Sequence, residues 1–168
     1  MKKSSKKPQE GDVFVLQPVI GKFYFGKVIQ TDLKSLDSFI NGMTLIYIYN
    51  YCSIEKEIPL DLEKEELLIA PIIVNNQPWL KGYFETIGNK QVLENEKTID
   101  FAFWDTLKKE YVDINGHVIK SKPQYSSIYG LGSYGVVEPD EGRQMVQDLL
   151  EIIQKAMTSD LGLVSIGD

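Results

Sequence analysis

GDVFVLQPVIGKFYFGKVI (residues 11–29) is the stretch whose reading decides the fold. Two runs rich in β-branched and aromatic residues flank a segment containing Pro18 and Gly21, which predicts a β-hairpin. Gly26 interrupts the second run, as glycine does where a strand bulges or bends to close a small barrel. Later strands are expected to add to this ribbon.

Working outward, residues 31–42 predict a short helix. Leu33, Leu36, Phe39 and Ile40 recur at helical spacing, Thr31 or Asp32 is placed to cap it, and Gly42 to end it. Residues 44–52 predict a strand in which Ile46 and Ile48 face one way and Tyr47, Tyr49 and Tyr51 the other. This reads as a central strand with an aliphatic and an aromatic packing face, in preference to a tyrosine platform. Residues 53–66 are polar and acidic and predict a surface loop with one or two helical turns. Residues 67–74 form an apolar run broken by Pro71, expected as a buried strand with a bulge or edge position. After a turn at residues 75–78, a strand is expected over residues 79–87 and a short one over 101–104, separated by a charged excursion at 91–100. Asn115-Gly116, between Tyr111 and Lys120, predicts a two-residue type I′ hairpin. From Pro139 the pattern becomes helical, with Met145, Leu149, Ile152, Ile153 and Ala156 in a stripe.

The expected fold class is α+β: a strongly bent antiparallel sheet or open SH3-like barrel, with a short helix after the first hairpin and a C-terminal helix. At 168 residues the chain has length for one core, so residues 11–168 are expected as a single domain behind a flexible basic tail, residues 1–10. That tail carries +3 and the rest of the chain −9, for a net charge of −6. Arg143 is the only arginine, which argues against a phosphate-binding surface and against nucleic acid as the main ligand. No apolar run is long enough to cross a bilayer, and the N-terminal lysines lead into Gln9-Glu10-Gly11-Asp12 without the apolar segment of a secretory signal. A cytoplasmic location is the expectation.

Residues 130–137, GLGSYGVV, match a glycine-rich phosphate loop by letter, but no strand and acidic residue follow at the spacing a dinucleotide site needs. A glycine-punctuated turn is expected instead. His117 is the only histidine, beside the Asn-Gly turn with no nucleophile or orienting group in pattern, and Cys52 reads as a small core residue. One histidine and one cysteine make no structural zinc site, so no metal, cofactor or catalytic residue is expected.

Residues 77–87, QPWLKGYFETI, stand with the lysine tail, GDVF (11–14), FYFGKV (23–28), LIYIY (45–49) and LIAP (68–71). In their order and spacing these resemble the immunity protein 26 family, small, mostly β bacterial proteins encoded beside polymorphic or contact-dependent toxins. The resemblance runs from about residue 6 to residue 104. It implies a non-catalytic protein that binds and neutralises a cognate toxin, a nuclease being one candidate. An acidic body suits a partner with a basic cleft. The residues expected to meet that partner are Asp61, Glu63, Glu65, Glu66, Trp79, Tyr83, Asp140 and Glu141. The alternatives are a small barrel-type nucleic-acid or peptide-binding module and a hydrolase using carboxylates and His117.

Overall fold

The computed structural model describes residues 1–105 and 108–129. The opening stretch forms β1 (Asp12–Val19) and β2 (Lys22–Gln30), paired antiparallel with Val19 opposite Lys22. The connecting loop is Ile20-Gly21, where Gly21 takes φ +82°, a conformation that costs other residues a Cβ clash. β3 (Thr44–Ser53) joins β2, β4 (Ile72–Val74) joins β3, and β5 (Phe84–Asn89) returns to β1. The order is β4-β3-β2-β1-β5, antiparallel throughout. A second sheet holds β6 (Phe101–Asp105), β7 (Glu110–Val112), β8 (Val118–Ile119) and β9 (Tyr125–Tyr129) in the order β8-β7-β6-β9, with β9 parallel to β6. Among the described residues these are two sheets and no closed barrel, so the chain is sheet-rich, with few helical residues.

The five-stranded sheet is covered on both faces, and strand alternation sorts its side chains between two cores. Val13, Val15, Phe25, Ile29, Leu45, Tyr47, Tyr49 and Ile73 meet Phe103 and Val112 of the second sheet. Phe14, Leu16, Val28, Ile46, Ile48 and Val74 face the other way, onto Trp79 and Phe84. β3 is thus the buried central strand expected, aliphatic on one face and aromatic on the other. On the second face Phe14 stacks on Phe84 with ring centroids 4.5 Å apart, and Trp79 meets both edge-on at 5.3 and 5.2 Å. Gly26 makes room for this cluster. A Cβ there would collide with the Phe14 ring and lie 2.8 Å from the Tyr47 carbonyl oxygen. The β2–β3 register also shifts between Tyr24 and Gly26, the bulge that the glycine foretold.

Four expectations are corrected. Residues 31–42 form turns, not a helix. Leu33 and Ile40 are buried, but Leu36 is 75% and Phe39 62% exposed, so the apparent stripe has no common face. Side chains take over the backbone donors instead: Ser35 N–H donates to Asn41 Oδ1 (2.7 Å) and Phe39 N–H to Asp37 Oδ1 (2.9 Å). Residues 79–81 belong to a short helix, α1 (Gln77–Lys81), rather than to a strand. Pro78 sits in its first turn, and Gly82 ends it in the left-handed conformation at φ +77°. The Asn115-Gly116 hairpin forms, but Val112 pairs with Val118, leaving a five-residue loop instead of a two-residue turn. Asp113 closes it: its Oδ1 accepts from the Asn115 and His117 N–H groups, and its carbonyl from Gly116 N–H. Cys52 is exposed rather than a core residue, because it falls beyond the buried half of β3.

The start of the lysine segment lies against α1 and β5. Lys2 N–H donates to Glu85 Oε2 and Ser4 N–H to the Trp79 carbonyl, both at 3.0 Å. The glycine turn at 130–135 and the helix expected from Pro139 lie outside the described residues.

Candidate functional site

The acidic segment after β3 carries four of the eight expected contact residues. It runs from residue 54 to residue 66, with a single 3-10 turn at Leu62–Lys64 whose Leu62 enters the core. Asp61, Glu65 and Glu66 are exposed, and Leu60, at 90%, projects among them. Lys90 fixes the segment from behind. Its Nζ donates to Glu63 Oε2 at 2.9 Å and to the carbonyls of Pro59 and Leu60, while its own backbone is held by Gly11 O. Burial opposes ionisation of Glu63, but the Lys90 contact, a backbone hydrogen bond and the Lys27 charge together outweigh it and hold the carboxyl below its ordinary range. Glu63 is therefore a structural tie, while Asp61, paired to Lys64 at 3.0 Å on the surface, and Glu65 and Glu66 form the exposed rim.

The remaining expected contacts divide. Trp79 is 1% exposed and fills the second core, its Nε1 donating to Thr86 Oγ1 at 3.1 Å. It anchors the fold and offers no surface to a partner. Tyr83 is half-buried against the same cluster. Asp140 and Glu141 lie outside the described residues.

A polar cluster that sequence reasoning missed lies behind the acidic segment. Lys27 Nζ, from the middle of β2, donates to both Glu96 carboxylate oxygens (2.7 and 3.0 Å) and to Gln91 O (2.9 Å). Glu96 sits on α2 (Glu94–Lys97), accepts from Tyr49 O–H at 2.6 Å and from Leu93 N–H at 2.8 Å, and its carbonyl accepts from Tyr47 O–H at 2.8 Å. Burial first, and then the Glu96 charge, drive both phenols well above their ordinary pKa, so they act as donors at neutral pH. The signal was phase: Lys27 shares the parity of Phe25 and Ile29 on β2, both core positions. With Lys27 and Glu96 each 2% exposed and engaged by their partners, the cluster clamps residues 90–97 to the sheet.

His117 is exposed beside Asp113 Oδ2, 3.5 Å from Nδ1, at the end of the β7–β8 loop next to β8. Tyr24, opposite Cys52 across the β2–β3 pair, has its hydroxyl pushed up to about 12 by burial and then by the cysteine. Among the described residues no group of three or more His, Cys, Asp or Glu is placed to hold a metal ion, and no helix is long and apolar enough to cross a membrane.

The described residues form a sheet-rich fold whose acidic surface segment is pinned by Lys90. Residues 9–113, from the turn before β1 to the end of β7, match the family described as immunity protein 26, and the chain belongs to that family. Comparison with curated proteins and with solved structures gave no match.

Proposed function

We propose that this protein protects a bacterial cell by binding a cognate toxin in the cytoplasm and blocking it stoichiometrically, without catalysis of its own. The family match over residues 9–113 carries this reading, since it takes in both cores and the acidic segment. The charge pattern supports it. The chain carries −6 overall, and the rim of Asp61, Glu65 and Glu66 is exposed, an arrangement that speeds encounter with a basic partner. A toxin that acts on nucleic acid, with a cationic cleft, is the partner chemistry this pattern fits best.

Co-expression with the toxin encoded beside it should restore growth, and the purified pair should elute as one complex of fixed stoichiometry. Protection at substoichiometric immunity protein, or protection without a complex, overturns binding as the mechanism and returns an enzymatic one.

A further inference from the structure

We infer that the cleft where the two sheets meet is an anchor pocket for a basic side chain, lysine or arginine, carried by the partner protein. The cleft has a volume of about 410 Å³. Its floor is apolar: Ile29 and Leu45 from the five-stranded sheet, and Ile114 from the β7–β8 loop. Tyr47 and Phe101 give it aromatic walls, their rings 6.4 Å apart and nearly perpendicular. The Tyr47 hydroxyl is already committed to Glu96 O, so the polar character comes from Glu10, Gln30 and Lys97, all exposed.

Charge decides what enters. Lys97 is engaged by Glu94 at 3.6 Å, whereas Glu10 makes no ion pair among the described residues. An anionic group would face Glu10 and find the one lining cation already occupied. A purely apolar group would cover Glu10 and Gln30 without replacing their water. A lysine or arginine matches every part: its methylene stem lies on the aliphatic floor, its cation approaches the aromatic walls, and Glu10 and Gln30 accept its N–H groups. Arginine side chains seated in desolvated pockets are frequent energetic centres of protein interfaces. The identity of the partner rests on the toxin-binding reading; the chemistry of the pocket does not.

The pocket is tested on the full chain by NMR titration with n-butylguanidinium, against butyrate as the anionic control. The cation should shift the resonances of Ile29, Leu45, Phe101 and Ile114. Glu10→Gln should weaken it about tenfold, the size of one charge-assisted contact. Ile114→Trp, which fills the cleft, should abolish it, and unchanged resonances elsewhere show that each variant is folded. Equal or better binding of butyrate, or no response of these residues, overturns the pocket. In the complex, Glu10→Lys and Ile114→Trp should each speed dissociation of the toxin at least tenfold. A cation-selective cleft whose variants leave the wild-type complex unaffected overturns its role as the anchor. Absence of any complex with wild-type protein counts against toxin binding itself, and the titration still decides the pocket.

Discussion

Lys27 Nζ lies 2.7 Å from Glu96 Oε2, and each side chain is only 2% exposed. One comes from the middle of β2 and the other from a four-residue helix 69 positions later. Taking both charges out of water is costly, and the pair stands because Tyr49, Gln91 and Leu93 fill the remaining donor and acceptor positions. The penalty falls on whoever breaks only half of it. Lys27→Met or Glu96→Gln alone should lower stability by about 3–5 kcal/mol, because each leaves an uncompensated buried group. Lys27→Met with Glu96→Leu should recover much of the loss. Urea midpoints measure this, and single variants within about 1 kcal/mol of wild type would contradict a desolvated pair.

Gly26 should not tolerate even a methyl group. Alanine there meets both the Phe14 ring and the Tyr47 carbonyl, and the backbone partner cannot swing aside. Gly26→Ala should cost about 1–3 kcal/mol, with Phe14→Leu in the same chain relieving only the ring contact. Thermal unfolding of the two variants separates these shares.

Trp79→Ala should act on the fold and not on an interface. It removes the ring that meets Phe14 and Phe84, for about 3–5 kcal/mol of stability. Under conditions where the variant remains folded, toxin dissociation should be unchanged.

How far these features were legible follows from where their information lies. The first hairpin, β3 and β6 were readable because alternation and β-branched content are local, and Gly26 because a glycine inside a strand has few other uses. Residues 31–42 misled because helical spacing is necessary for a helix and not sufficient: Ser35, Asp37 and Asn41 satisfied the backbone donors with their own side chains. The strand expected from residue 79 misled because it was delayed by α1, whose Pro78 and Gly82 are start and stop signals in plain view. Lys27 was marked by its parity, but its partner Glu96 is a tertiary fact, set by how residues 90–97 cross β2 and β3. The anchor cleft is assembled from Glu10, Leu45 and Ile114, residues that no local pattern joins.

Stability should fall in acid partly through Glu63. Its folded pKa lies below the 4.5 of an unperturbed glutamate because burial is outweighed by the Lys90 contact together with a backbone hydrogen bond and the Lys27 charge. The stabilisation is thus fully present above 4.5 and is lost as pH falls through the folded value. Glu63→Gln should cost about 1 kcal/mol at neutral pH and nothing below the lowered folded value, where the wild-type carboxyl is itself protonated. Glu85, lowered by Lys56 against the opposing effect of burial, should behave alike. Urea midpoints across the acid range test the sign: a difference that persists or grows in acid would contradict the Lys90 tie.

The rim of the acidic segment should govern how fast the toxin arrives, and Leu60 how long it stays. Asp61, Glu65 and Glu66 are exposed, so their fields reach into solvent while their local contacts add little. Reversing all three to lysine should slow association by about tenfold or more at low salt, with the difference shrinking as the Debye length drops to about 10 Å at 0.1 M. Dissociation should barely change. Leu60→Ala carries no charge and should leave association alone while speeding dissociation, because a fully projecting leucine gains only when a partner buries it. Glu63 must stay unaltered in this series, since its loss would loosen the segment from Lys90 and blur the two effects. Asp140→Lys with Glu141→Lys tests the other acidic group named from the sequence. Stopped-flow association rates at several salt concentrations distinguish the faces. Slowing by the first set alone assigns the approach to residues 61–66. Equal slowing by both would mean that the toxin responds to net charge, and the segment would lose its claim to be the docking face.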